Sequence, residues 1–205
     1  VSLILEGSYG KIPSSVEDIL EKVYFVNGRL VQLVEDLLNV SRIESGRVRY
    51  QFVSTELVSL VTEVVDIFRL QAKTKQLDLV MQMPKETIPK MTLDVNKIKE
   101  VLSNLIDNAI KFSPQGSTIN CILTQEDEKT MGIQIKDQGS GIPEIFQSRI
   151  FQKFARASTS GKDRKSGSGL GLNLTKAIIE EHKGSIGYKS GPTGTTFWIK
   201  LPLVK

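Results

Sequence analysis

Asn104 and Asn108 stand one helical turn apart in Asn104-Leu-Ile-Asp-Asn108, Asp137-x-Gly139-x-Gly141 follows, and Gly167-x-Gly169-x-Gly171 comes third. Residues four apart share a helix face, so the two amides project together while Leu105, Ile106 and Ala109 point into a core. A neutral amide oxygen is a good ligand for a hard cation and leaves that cation's charge available to phosphates. Lys111 is placed to reach a phosphate, and Phe112 is a ring that can cover a base. Asp137 closes the alternating run Ile133-x-Ile135, and a carboxylate at a strand end facing a pocket accepts from an amino group of the kind adenine presents. Gly139 and Gly141 let the backbone, which continues into Ile142 and Pro143, come close to a ring. Gly167 to Leu172, with Leu170 between its last two glycines, opens a helix, so backbone amides and the positive helix end converge on an anion. The spacing is neither a P-loop, for which Gly-Lys-Ser/Thr is missing, nor a Rossmann turn, for which no acidic residue follows at the required distance. The competing reading of the amides is a pair of surface or capping groups, and the Asp-Gly element alone reads equally as a plain turn. In this order they describe a nucleotide pocket, and not a dinucleotide one.

Between the two glycine elements, Arg149 to Lys165 carries six basic residues against one acidic, interrupted by Phe151, Phe154, Ser158, Thr159 and Gly161. It reads as a basic flap that orders over a triphosphate, or as an exposed loop. Its length favours the first, because long structureless loops in compact domains are usually functional.

The elements that must position these residues follow from periodicity. Ile19, Val23, Val26, Leu30, Leu33, Leu37 and Val40 alternate four and three apart, so Pro13 to Arg42 is one helix with a heptad seam. Leu20, Val34 and Leu38 widen the stripe, which suits a four-helix bundle better than a two-stranded coil. Ser14 and Ser15 are candidate caps and Gly46 a candidate terminator. Val1 to Leu5 followed by a Gly7 to Gly10 turn reads as the end of an earlier helix, so the chain is expected to open mid-element. After residue 46 the pattern changes: strands at 48–53, 77–83, 91–94, 118–125, 131–137, 185–189 and 195–203, and helices at 57–71, 95–112 and 170–182. The domains are therefore drawn at 1–46 and 47–205. The second is expected to be an α+β unit, an α/β sandwich in which a mixed sheet is covered by helices on one face.

Composition excludes several classes. The 205 residues are 40% apolar and 24% charged with a net charge of +4, which is ordinary globular composition. The basic residues are spread out except at 149–165, so no nucleic-acid surface is implied. No apolar run approaches the ~20 residues that span a bilayer, and the lone Cys121 lies in an alternating run and suits a buried thiol in a reducing compartment. A cytoplasmic setting without membrane contact in this stretch is expected, whether or not a longer parent is membrane-anchored.

With these elements in place the sequence resembles the sensor histidine kinases, whose catalytic domain shares an ATP-binding superfamily with DNA gyrase, the heat-shock chaperone ATPases and MutL. Asn104 to Phe112 is similar to the family's asparagine box, Asp137 to Gly141 to its first glycine box, Ile150 to Phe154 to its phenylalanine box and Gly167 to Gly171 to its second glycine box. Leu37 to Gly46 resembles the join between dimerisation helix and catalytic domain. The resemblance implies a Bergerat-type ATP fold preceded by one helix of a dimerisation hairpin, with ATP and magnesium as cofactors. By it, Asn108 would bind magnesium with Asn104 in support, and Lys111 and Arg156 would contact phosphates, so that Asn104, Lys111 and Arg156 form the catalytic set. Asp137 would hold the adenine amino group with Gly139, Gly141 and Ile142 beside the base, and Phe112 would lie against adenine. Gly167, Gly169, Leu170, Gly171 and Leu172 would cradle the triphosphate, Phe154 would anchor the lid, and Thr196 would sit where the last strands close over the base.

Hydrolysing members of that superfamily place a water-activating glutamate four residues before the metal asparagine, and here that position is Asn104. An amide is no general base at neutral pH, so a protein nucleophile is expected to receive the γ-phosphoryl. The only histidine, His182, stands at the end of a helix where a structural role is expected. The phosphoacceptor is thus expected upstream of Val1, with a homodimer formed through residues 14–45 of the intact parent and a response regulator receiver domain as partner. The competing readings are a non-catalytic ATP-binding scaffold and an ATPase of the same superfamily.

Overall fold

The computed structural model describes residues 1–84, 88–155 and 168–203, the side chains of Arg29 and Glu44 excepted, in two compact units, Val1–Arg47 and Val48–Lys205. In the first, α1 (Ser2–Leu5) runs into a turn with positive φ at Gly7 and Gly10, and α2 (Ser14–Glu44) is continuous over 31 residues. Neither Ser14 nor Ser15 caps α2: Pro13 holds the N-cap position with no side-chain bond, and its carbonyl accepts from Val16 and Glu17. At the other end Gly46 adopts φ +64 while Arg47 N–H donates to the Arg42 carbonyl, the left-handed stop that glycine permits. The seam is open from Ile19 to Leu37, with Ile19, Val26 and Leu30 about 60% exposed, and Val40 is buried.

The second unit begins with β1 (Phe52–Thr55), α3 (Leu57–Thr74), β2 (Asp78–Gln82), β3 (Met91–Asp94) and α4 (Val95–Phe112). It continues with β4 (Thr118–Asp127), β5 (Thr130–Lys136), α5 (Glu144–Gln147), α6 (Gly171–Glu181), β6 (Ser185–Gly191) and β7 (Gly194–Pro202). Five strands form a mixed sheet in the order β2-β4-β5-β7-β6, parallel only between β2 and β4. β1 and β3 stand apart as an antiparallel pair, Phe52 opposite Asp94 and Thr55 opposite Met91. The strand expected over 48–53 therefore lies later, because pairing with β3 rather than alternation sets its limits.

Alternation then decides the core. Ile119, Cys121 and Leu123 of β4, Ile133 and Ile135 of β5, and Ile199 and Leu201 of β7 are buried, facing one side of the sheet as a two-residue period requires. The buried faces of the helices supply the other layer, Val61 and Val65 from α3, Leu102, Leu105 and Ile106 from α4, Ile178 and Ile179 from α6. The unit is an α/β sandwich with helices on one face. Burial pushes the Cys121 thiol up to about 12, so it stays protonated and unreactive. On the outer face the single tryptophan, Trp198, lies against Gly187, where any Cβ would run into the indole. Among the described residues no helix is long and apolar enough to cross a membrane.

One polar cluster ties the site-bearing helices together. Asp94 caps α4, its Oδ1 accepting from Lys97 N–H at 3.0 Å while Oδ2 accepts from Gln51 N–H at 2.8 Å. Its own N–H donates to His182 Nε2 at 3.0 Å, and His182 Nδ1 lies 2.8 Å from the Ile178 carbonyl of α6. A ring that accepts at Nε2 must donate at Nδ1, so His182 is the neutral Nδ1–H tautomer. Phe52 and Tyr50 pack their rings on it at 4.9 and 5.9 Å. Asp94→Ala strips acceptors from two N–H groups, so the unit should lose about 2 kcal/mol, read as a lower urea midpoint at unchanged slope.

Candidate functional site

The site is assembled from the C-terminal half of α4, the loop after β5, the start of α6 and the first residues of β7. Asn104 and Asn108 project from α4 toward α6: Asn104 Nδ2 donates to Thr175 Oγ1 at 2.8 Å, and Asn108 Nδ2 lies 3.4 Å from Asn104 Oδ1. Gly171, first residue of α6, has ordinary helical geometry. It is glycine for space, because a Cβ there would collide with the Asn104 amide. Lys111, one turn along α4, is held at 3.4 Å by Asp107, which also accepts from Gln71 at 3.2 Å. Asp107 is thus committed away from the amide pair.

Asp137, the residue after β5, is almost fully buried, its N–H donating to the Thr195 carbonyl at 2.8 Å. Its Oδ1 accepts from the N–H groups of Gly139 at 2.8 Å and Thr195 at 3.1 Å, which leaves Oδ2 for a ligand donor. Burial raises the carboxyl above its ordinary range, and the two N–H bonds offset that only in part. The glycines around it are close-approach positions. A Cβ on Gly139 would lie 2.8 Å from the Phe112 carbonyl oxygen, and one on Gly194 or Gly141 would strike the carbonyls of Asp137 or Gly191. Ile142 N–H donates to Ser190 Oγ at 2.8 Å, and that hydroxyl lies 3.0 Å from Thr195 Oγ1. Phe112, 44% exposed, stands with Ser113, Pro114, Gln138, Gly139 and Ser140 around an open cleft of about 380 Å³.

Phe154 is 60% exposed with φ +59, and Gly169, at φ +73, is packed so closely on it that a Cβ would lie 2.8 Å from the Phe154 carbonyl carbon. Leu170 is fully buried behind this contact and Leu172 half-buried on the first turn of α6. Asn173 Nδ2 donates to the Phe151 carbonyl at 3.0 Å, so α6 holds the segment that carries Phe154. Arg156 and Gly167 lie outside the described residues.

The structure brings together Asn104, Asn108, Lys111 and Phe112 on α4, Asp137, Gly139, Gly141 and Ile142 on the loop, and Gly169 to Leu172 at the start of α6. Thr196 does not join them. Burial alternates along β7, so Thr195 faces inward to Asp137 and Ser190 while Thr196 sits on the opposite face, paired in register with Lys136 and Lys189. A one-residue step in a strand exchanges faces, and either threonine of Gly194-Thr-Thr satisfied the sequence pattern. Thr175 was also missed, although a threonine three and four residues before Ile178 and Ile179 already marked a polar group on an apolar face.

A helical layer whose amide pair faces a glycine-rich helix start, over a sheet bearing a buried aspartate, defines an ATP-binding α/β sandwich of the Bergerat type. Residues 93–205 match the family described as histidine kinase-, DNA gyrase B-, and HSP90-like ATPase, and the chain belongs to that family. Within it the second unit is a sensor histidine kinase catalytic ATP-binding domain. The chain is 34% identical over 187 residues to the alginate biosynthesis sensor protein KinB of Pseudomonas aeruginosa, covering 91% of this chain and 30% of that protein. It is 33% identical over 180 residues to hybrid signal transduction histidine kinase D of Dictyostelium discoideum, covering 85% and 12%. Full-length ShkA in complex with AMPPNP has the same fold, with a TM-score of 0.82 at 20% identity over 97% of this chain and 41% of that one. The chain thus spans less than a third of the length of these curated relatives.

Because Asp137 has a raised folded-state pKa, folding disfavours its charged form. That penalty is absent below the unfolded carboxylate's pKa and complete above the folded one. Asp137→Asn, which keeps an acceptor for both N–H groups, should therefore be more stable than the parent at pH 7.5. The gain should vanish as pH falls to about 3.5, as urea denaturation across that range would record.

Proposed function

We propose that the second unit binds magnesium-ATP between α4 and α6 and presents the γ-phosphoryl group to a histidine supplied from outside this sequence, as a protein-histidine kinase does in two-component signalling. The observation that carries the reading is residue 104. An amide, seated between Thr175 and Gly171, occupies the place from which a carboxylate would have to activate water, and an amide cannot take that proton. His182 is not the acceptor, being buried with both ring nitrogens engaged.

Asp137 accepts the adenine amino hydrogen at Oδ2, and Phe112 and Ile142 border the base. Lys111, with Arg156, draws charge from the phosphates. Backbone amides from Gly169 through Leu172 bind the triphosphate at the positive end of α6, with Phe154 packed beside Gly169. The donor set fits a magnesium ion that arrives with its phosphates. Asn108 offers a single amide oxygen, and no cluster of three or more His, Cys, Asp or Glu among the described residues could hold a metal alone. Held by Asn108, the ion would supply positive charge to the phosphates; the γ-phosphoryl passes from ADP, which leaves, to the imidazole nitrogen of the external histidine.

The open apolar face of α2 supports its assignment as one helix of a dimerisation bundle, with a second copy of the parent as partner and a receiver domain as the next phosphoryl acceptor. The spread of charge supports no nucleic-acid role, and a cytoplasmic setting fits the ATP supply.

Incubated with γ-labelled ATP and a separate helical hairpin bearing the histidine, the chain should label that hairpin. Asn108→Ala should reduce the transfer roughly tenfold to 100-fold. Steady phosphate release without the hairpin, abolished by Asn104→Ala, would instead establish an ATPase.

A further inference from the structure

The hydroxyl of Thr175 is placed as a working part of the amide pair. Thr175 is 1% exposed in the middle of α6, and the other buried residues of that helix are Leu174, Ile178 and Ile179. Valine would fill the same volume with the same branched shape, and a hydroxyl in an apolar layer costs free energy unless it is bonded. Its bond goes to Asn104 Nδ2, 71 positions away in sequence and 2.8 Å away in space. Gly171, one turn before Thr175 and on the same face of α6, clears the volume that the Asn104 amide fills. The face of α6 thus carries a niche and, at its edge, an acceptor.

We propose that Thr175 is a positioning residue for the metal ligand, acting through Asn104. The geometry is a relay of three groups. A cation can take only the oxygen of the Asn108 amide, which turns Nδ2 of Asn108 inward toward Asn104 Oδ1. Asn104 must then present its own nitrogen to what lies beyond, and that group must be able to accept. A threonine hydroxyl accepts and a valine methyl does not. The end of the relay therefore biases Asn108 toward the orientation in which its oxygen meets the ion.

This inference rests on the magnesium-ATP reading above, and the test separates the two. In the full chain, the affinity of a fluorescent ATP analogue is measured in EDTA and across a Mg2+ titration for the parent, Thr175→Val and Thr175→Ser. The valine variant should keep its metal-free affinity within about twofold while its Mg2+ half-saturation rises roughly five- to tenfold, the worth of one hydrogen bond. The serine variant should titrate like the parent. In the unsubstituted protein, the Asn104 side-chain NH2 signals should exchange slowly with solvent, a readout independent of any variant's folding. Equal Mg2+ titrations for parent and valine variant, equal damage from valine and serine, or fast exchange at Asn104 would each overturn the proposal. A parent whose nucleotide affinity ignores Mg2+ overturns the underlying reading and this inference with it.

Discussion

The second unit depends on the pairing of Asp94 with His182. Asp94 starts α4 and His182 ends α6, and the bond between the Asp94 N–H and the imidazole joins the helix carrying the amide pair to the helix whose first turn is glycine-rich. Each partner is fixed by further bonds, the carboxylate by two N–H groups and the ring by the Ile178 carbonyl. This buried end of the two helices limits how far they can slide or splay at the other. Asn104 approaches Gly171 within the space of a missing methyl, a tolerance that only a rigid frame can keep. A buried histidine thereby governs where Asn104 and Gly171 sit relative to one another.

Close approach is the second constraint. Gly139 at the Phe112 carbonyl, Gly169 at Phe154, Gly171 at Asn104 and Gly194 at Asp137 each mark a place where two segments come nearer than any side chain allows. Only some of these have positive φ, so the glycines serve packing as much as turning. Drawing the backbone in around Asp137 removes water from its carboxylate and raises its pKa. The energetic cost falls on the carboxylate, and any donor that bonded Oδ2 would return part of it.

Much of this was legible from sequence where one physical rule acted alone. The limits of β3 and α4 followed from the change to a strong helical period after Asp94, and the asparagine pair followed from the four-residue turn. The sequence failed where a partner decided. β1 shifted because its ladder with β3, rather than its own alternation, sets its ends. Thr195 and Thr196 could not be told apart until the strand's face was known. Pro13 rather than a serine took the cap position, its carbonyl receiving the N–H groups of Val16 and Glu17. Thr175 was overlooked because helical periodicity weighs apolar residues and passes over a hydroxyl among them.

The contact between Trp198 and Gly187 has a use beyond packing. The indole is the chain's only one, it lies across β6 from β7, and it is two residues from Thr196 and three from Thr195, which bonds Asp137. Its ultraviolet emission is therefore a native optical gauge of this sheet edge, free of signal from the first unit and requiring no attached dye.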